Sequence, residues 1–174
     1  LSSRTGGKMS SADLAWLETV KPMTAPIGVE SIIGTDTRKY IGNTKKYPYR
    51  AVVLIVFDAG RCTGWLISAD TVATAGHCVY DPGVDWYDRS SYRLYPGYTG
   101  TSEPYGHCHA KSLRTVKGWA ENGDDQYDYA TIKLDCTVGK KTGWFGFYWT
   151  KKNKSLKRKK IKISGYPGDK PYTM

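Results

Sequence analysis

The sequence predicts a mostly β chain built as an antiparallel barrel or sandwich. Three observations predict it. The composition is rich in β-favouring aromatics and in glycine, with 14 Tyr, 6 Trp and 19 Gly in 174 residues. Short apolar runs recur along the chain. Turn signals separate them, roughly every ten residues, as in all-β domains. Aromatic and β-branched side chains fit a pleated, half-buried surface, and glycine supplies the turns. The length suits one domain, or one domain and a fragment of another.

In chain order, residues 1–30 differ in texture from the remainder. Ser10, with Asp13 three positions on, resembles a helix start. Leu14, Leu17 and Val20 then share one helical face, with Trp16 beside them, and Pro22 ends the helix. A helix this short needs something to pack against. Residues 21–29 hold two prolines and a glycine and read as a linker. From Ser31 onward, residues 50–57 (RAVVLIVF) form a continuous apolar run, expected to be a buried strand. Residues 62–67, 71–75, 92–95, 111–116, 129–134 and 160–164 are the other expected strands. Turns are expected at Asp58-Ala-Gly, Asp81-Pro-Gly, Pro96-Gly, Glu121-Asn-Gly and Tyr166-Pro-Gly-Asp.

The apolar fraction of 40% is enough for a real core, and no stretch approaches the about 18 apolar residues of a membrane span. The sequence opens Leu1-Ser2-Ser3-Arg4, without a starting Met or a signal-like run, as expected after removal of a signal. Net charge is +10, and the tract from Lys151 to Lys162 holds eight basic residues and no acidic one, which leaves +2 for everything else. That tract reads first as a solvated surface loop. Its functional alternative is contact with a polyanion, an anionic cell surface or an acidic substrate. Four cysteines, Cys62, Cys78, Cys108 and Cys136, fit disulfides in an oxidising compartment and allow three pairings. The run His107-Cys108-His109 invites a metal reading, but neighbours on a strand point to opposite faces, which argues against a shared ion.

Two segments carry chemistry. Cys62-Thr-Gly-Trp-Leu-Ile is followed by Thr74-Ala-Gly-His77-Cys78, which puts a histidine where a strand ends in a tight turn. A Cys62–Cys78 bond would pin that turn, and a general base must be held within hydrogen-bond reach of its partner. Asp128, flanked by Tyr127 and Tyr129, directly precedes an apolar strand. A carboxylate shielded there could orient a histidine ring and stabilise its protonated form.

These two segments, in the order His77 then Asp128, resemble the trypsin-like serine proteases, and the bacterial glutamyl endopeptidases most closely. The runs beginning at Ser31 (SIIGTDTR), Asn43-Thr44 with Tyr47-Pro-Tyr-Arg50, Val72 to Asp81 (VATAGHCVYD), Tyr127-Asp-Tyr129 and Ile163 to Lys170 (ISGYPGDK) carry the resemblance. The resemblance implies a chymotrypsin-like double antiparallel β-barrel, of which this chain covers the first barrel and the start of the second. It implies a secreted enzyme that needs no metal or organic cofactor and cleaves protein or peptide substrates after Glu, sometimes Asp. His77 is then the general base and Asp128 its orienting carboxylate. Residues 1–30 are expected to be a propeptide acting in cis, and 31–174 an incomplete protease domain. Cleavage after Glu30 would free the amine of Ser31. The disulfides expected are Cys62 with Cys78 and Cys108 with Cys136, unless one of the latter pairs with the other half. The family's serine lies in a Gly-x-Ser-Gly segment, and neither Ser155 nor Ser164 has that context. The nucleophile is therefore expected in a C-terminal half beyond Met174.

Overall fold

The computed structural model describes residues 6–21, 34–151, 157, 159–170 and 173–174. The order is strand β1 (Gly7–Lys8), helix α1 (Ser11–Thr19), strands β2 (Val52–Phe57), β3 (Gly60–Leu66), β4 (Thr71–Thr74), β5 (Arg93–Pro96), β6 (Ser102–Glu103) and β7 (Cys108–Thr115), helix α2 (Lys117–Asn122), strand β8 (Ala130–Leu134) and helix α3 (Gly139–Thr142). Six of the strands close into an antiparallel barrel in the order β2-β3-β4-β8-β7-β5, and β5 returns to β2. This is the mostly β architecture expected.

A barrel of six strands has room only for side chains inside it. Val53, Ile55, Phe57, Leu66, Val72, Leu94, Ile132 and Leu134 fill the interior. Gly64 faces that interior where a Cβ would lie 2.5 Å from Val72 Cγ1 and 2.8 Å from Ile55 Cδ1, so only glycine fits. Alternation along β8 follows: Ala130, Ile132 and Leu134 are buried, with Thr131 and Lys133 partly exposed between them.

Strand β2 breaks the alternation, because all six of its residues are buried. Val52, Leu54 and Val56 point out of the barrel into a second core with Met9, Leu17, Tyr95, Tyr98, Tyr166 and Met174. A strand covered on both faces reads as a continuous apolar run, which is why 50–57 shows no polar alternation. Helix α1 supplies part of that cover. Ser10 caps it, its hydroxyl accepting from the Asp13 amide at 3.1 Å, and Leu17 is its buried residue. The helix expected from the sequence thus finds its packing surface on the barrel.

Two strand expectations need correction. Strand β7 starts at Cys108 and not at Lys111. Its register to β8 shifts between Ala110 and Ser112, and this bulge breaks the alternation a sequence reading relies on. Residues 160–164 form no strand. Ile161 and Ile163 lie on one exposed side, and the chain that follows meets β3 through side chains instead of a backbone ladder. Thr63 Oγ1 accepts from the Tyr166 amide at 2.8 Å, and Arg61 donates to the Gly168 carbonyl at 2.7 Å.

If the outer face of β2 is a true core, Leu54→Ala will cost about 2–5 kcal/mol, against about 0.5 kcal/mol for an ordinary surface site. Urea unfolding measures this. Alkaline stability has a defined sign as well. Burial pushes the Tyr95 phenol up to about 12 and raises Tyr92 and Tyr166 too. An unfolded phenol titrates near about 10. Above that pH the folded chain holds more protons than the unfolded one, so stability falls as pH rises. The urea midpoint should be lower at about pH 11 than at about pH 9; an unchanged midpoint would mean that these phenols ionise within the fold.

Candidate active site

The site is built from the ends of two neighbouring barrel strands. Strands β4 and β8 pair directly, Thr74 opposite Ala130. The chain leaving β4 enters a 3₁₀ turn at Gly76–Cys78 that carries His77. The chain entering β8 comes from a 3₁₀ turn at Asp125–Tyr127, and Asp128 follows it. Antiparallel pairing places both residues at the same barrel end, although 51 positions separate them.

Asp128 grips His77 with both carboxylate oxygens. Oδ2 lies 2.8 Å from His77 Nδ1, and Oδ1 accepts the backbone amide of His77 at 2.8 Å. The two side chains keep 15% and 23% exposure, so the contact is shielded but reachable. An ionised carboxylate only accepts, so it selects the tautomer with the proton on Nδ1 and leaves Nε2 with its lone pair. That ring can take a proton at Nε2 while the carboxylate stabilises the charge.

The surroundings hold the pair by contact. The Trp119 ring, 2% exposed on α2, stands edge-on to the imidazole with centroids 6.3 Å apart. Its Nε1 donates to the Tyr80 carbonyl at 3.0 Å, tying α2 to the chain after His77. Gly76 lies between the parts: a Cβ there would be 2.8 Å from the Trp119 ring and 2.9 Å from Asp128 Oδ1. The Cys62–Cys78 disulfide fastens the turn to β3, and the buried Tyr92 hydroxyl donates to the Cys78 carbonyl at 2.8 Å. Tyr127 and Tyr129, the neighbours expected to shield Asp128, themselves face solvent. These rings are 44% and 52% exposed, and Tyr127 packs over Gly118. Trp119 covers the imidazole side of the pair. A lone tryptophan nine residues before Asp128 carries no pattern that would reveal it in advance.

The other sequence-singled residues lie apart from this pair. Cys108 bonds Cys136, fastening β7 to the chain beyond β8. His107 and His109 flank Cys108 on one side with rings 5.4 Å apart, and each meets its own carboxylate. His107 Nδ1 lies 2.6 Å from Glu103 Oε2, and the His109 amide donates to Asp135 at 2.9 Å. Burial holds His109 below its ordinary value despite Asp135. Glu30 and Ser31 lie outside the described residues, as do Lys152, Lys154 and Arg158 of the basic tract. The described lysines of that tract are exposed, and Lys162 Nζ reaches the Tyr49 hydroxyl at 2.7 Å.

Residues 33–172 match the trypsin family. The chain belongs to the trypsin family of serine proteases. Among this trypsin-like chain's relatives is the glutamyl endopeptidase of Bacillus licheniformis, 42% identical over 153 residues, which are 88% of this chain and 47% of that protein. A protein of Bacillus subtilis strain 168 named extracellular metalloprotease is 40% identical over 148 residues, 82% of this chain and 46% of its own length. The chain thus spans about half the length of the curated relatives it matches. Among solved structures, a Glu endopeptidase in complex with MPD superposes with a TM-score of 0.65 at 31% identity, covering 70% of this chain and 56% of that one. The protease Anisep from Arthrobacter nicotinovorans gives 0.52 at 27% identity, covering 57% and 50%.

Among the described residues two groups bring His, Cys or Asp ligand atoms within 4.8 Å of one another: Cys62, His77 and Cys78, and Cys108, Asp135 and Cys136. Both draw their sulfurs from disulfides, which offer no thiolate. Neither group fits a metal ion.

Gly76→Ala tests the packing behind the pair. The added methyl meets Trp119 and Asp128 below van der Waals distance, so stability should fall by about 1–3 kcal/mol. The downfield proton resonance of a carboxylate-bound Nδ1–H should weaken or vanish with it. An unchanged proton spectrum and urea midpoint would show that the site tolerates the methyl.

Proposed function

We propose that the protein is a secreted serine endopeptidase, made as a zymogen, that cleaves peptide bonds after Glu and less readily after Asp. The observation that carries this reading is the two-oxygen grip of Asp128 on His77, which leaves Nε2 as the free basic atom. His77 Nε2 takes the proton of a serine hydroxyl as the oxygen attacks the substrate carbonyl. The protonated ring then delivers that proton to the leaving amine, and water releases the acyl group by the same route. Asp128 fixes the ring and stabilises the imidazolium throughout. The serine would come from a Gly-x-Ser-Gly segment beyond these 174 residues, which contain none.

Preference for Glu is supported by the 42% identity to a glutamyl endopeptidase and by the Glu30-Ser31 junction, just before the family match begins at residue 33. An enzyme selective for Glu could make that cut on itself, freeing the Ser31 amine. Residues 1–30 are then the prosegment. Four half-cystines joined in two disulfides fit export to an oxidising compartment.

The test uses the longer protein that includes the second half, with peptides differing only in Glu, Asp or Lys before the scissile bond. Glu should be cleaved fastest. His77→Ala and Asp128→Asn should each lower kcat by about 10⁴-fold or more. Activity unchanged by His77→Ala would sink the mechanism, and equal rates on Lys and Glu peptides would sink the specificity.

A further inference from the structure

The described part of the N-terminal segment holds the barrel, and the β6 connection between its strands β5 and β7, in three ways. Its backbone forms a ladder, with Gly7 opposite Glu103 and Lys8 opposite Ser102. The preceding residue, Gly6, sits so close that a Cβ would lie 2.3 Å from the Pro104 carbonyl oxygen. Its apolar side chains enter the second core: Leu17 is 1% exposed and Met9 8%, against Val52, Leu54, Val56, Tyr95 and Tyr98. Finally Arg93, on β5, points its guanidinium at α1. Its Nη1 is 3.3 Å from Asp13 Oδ1, and its Cζ lies 4.3 Å over the Trp16 ring.

We propose that residues 6–21 form a retained subunit: after the chain is cut between residues 21 and 34, the segment stays docked on the barrel without a covalent link. A cut removes the tether and its effective concentration, but none of the three sets of contacts. Departure would uncover the part of the outer face of β2 that Met9 and Leu17 cover beside Tyr98 and Tyr166; Val52, Leu54 and Val56 there are at most 4% exposed. A contiguous apolar face of that kind is rarely left open to water. The helix is too short to persist alone, so the segment folds only on this surface.

The docking face is also clear of the candidate catalytic pair. Arg93 is on β5, and His77 follows β4. In the closed order these two strands lie on opposite walls of the barrel, and β2, which carries most of the docking face, is separated from β4 by β3. Retention is therefore compatible with an open site. In the zymogen reading, on which this last step rests, the activating event is the cut itself and not the loss of the prosegment.

The experiment inserts the recognition sequence of an unrelated, sequence-specific protease between Ala25 and Pro26 of the full chain. After complete cutting, verified by denaturing mass spectrometry, the sample is passed over a gel-filtration column at about 1 µM. Retention predicts both pieces in one peak. Separate elution of the short piece from the unmutated chain would overturn the proposal. Leu17→Asp and Arg93→Ala should each reduce the retained fraction, Leu17→Asp by at least about tenfold; retention unaffected by both would overturn docking through α1. The zymogen reading is judged separately, by whether a Glu-specific protease generates a chain beginning at Ser31. Its failure leaves the retention result standing.

Discussion

Burial of β2 on both faces is the constraint from which the rest of the molecule follows. One face closes the barrel, where Val53, Ile55 and Phe57 meet Leu66, Val72 and Ile132. The other must be covered from outside, and α1 together with Tyr98 and Tyr166 does this. The hydrophobic gain from a second covered face explains why segments far apart in sequence converge here. Without that cover β2 would present a bare apolar stripe beside an otherwise ordinary barrel.

Barrel closure in turn makes the site. Neither His77 nor Asp128 lies within a strand. His77 lies in a 3₁₀ turn after one strand, Asp128 directly follows a 3₁₀ turn before another, and the two strands are hydrogen-bonded neighbours. The ladder sets the distance coarsely, and local contacts refine it: the absent side chain of Gly76, the Trp119 ring and the Cys62–Cys78 bond. This division of labour suits a base and its orienting carboxylate, whose function depends on a fraction of an ångström. It also explains how a chain spanning about half the length of its curated relatives can carry a formed pair.

Much of this was legible in the sequence, for physical reasons that differ by residue. The strands are visible because their periodicity is short and their apolar positions are strict, as in β8. The turn at His77 is visible because Ala75, Gly76 and Cys78 surround it with small residues and a half-cystine. What escaped was long-range or local irregularity. The bulge at Ala110 to Ser112 hides the first half of β7, since an extra residue inverts the alternation. Ile161 and Ile163 imitate a strand, but alternation alone cannot show whether a partner exists to pair with it. The part played by Trp119 depends on a contact with a turn 42 residues earlier, and Arg93 gives no sign in sequence that Asp13 and Trp16 will meet it.

Trp119 has one more consequence. Of the six tryptophans it is the one held away from solvent, while Trp65, Trp86, Trp144 and Trp149 are 44–75% exposed. Its indole lies against the imidazole of His77, and its N–H is committed to a carbonyl. The fold has thereby placed a natural fluorophore beside the candidate general base. A soluble quencher will extinguish the exposed indoles first, and the emission that survives will come from Trp119 and the partly buried Trp16, which replacement of Trp16 separates. Changes at His77 can then be followed by light alone, without a dye or a substrate.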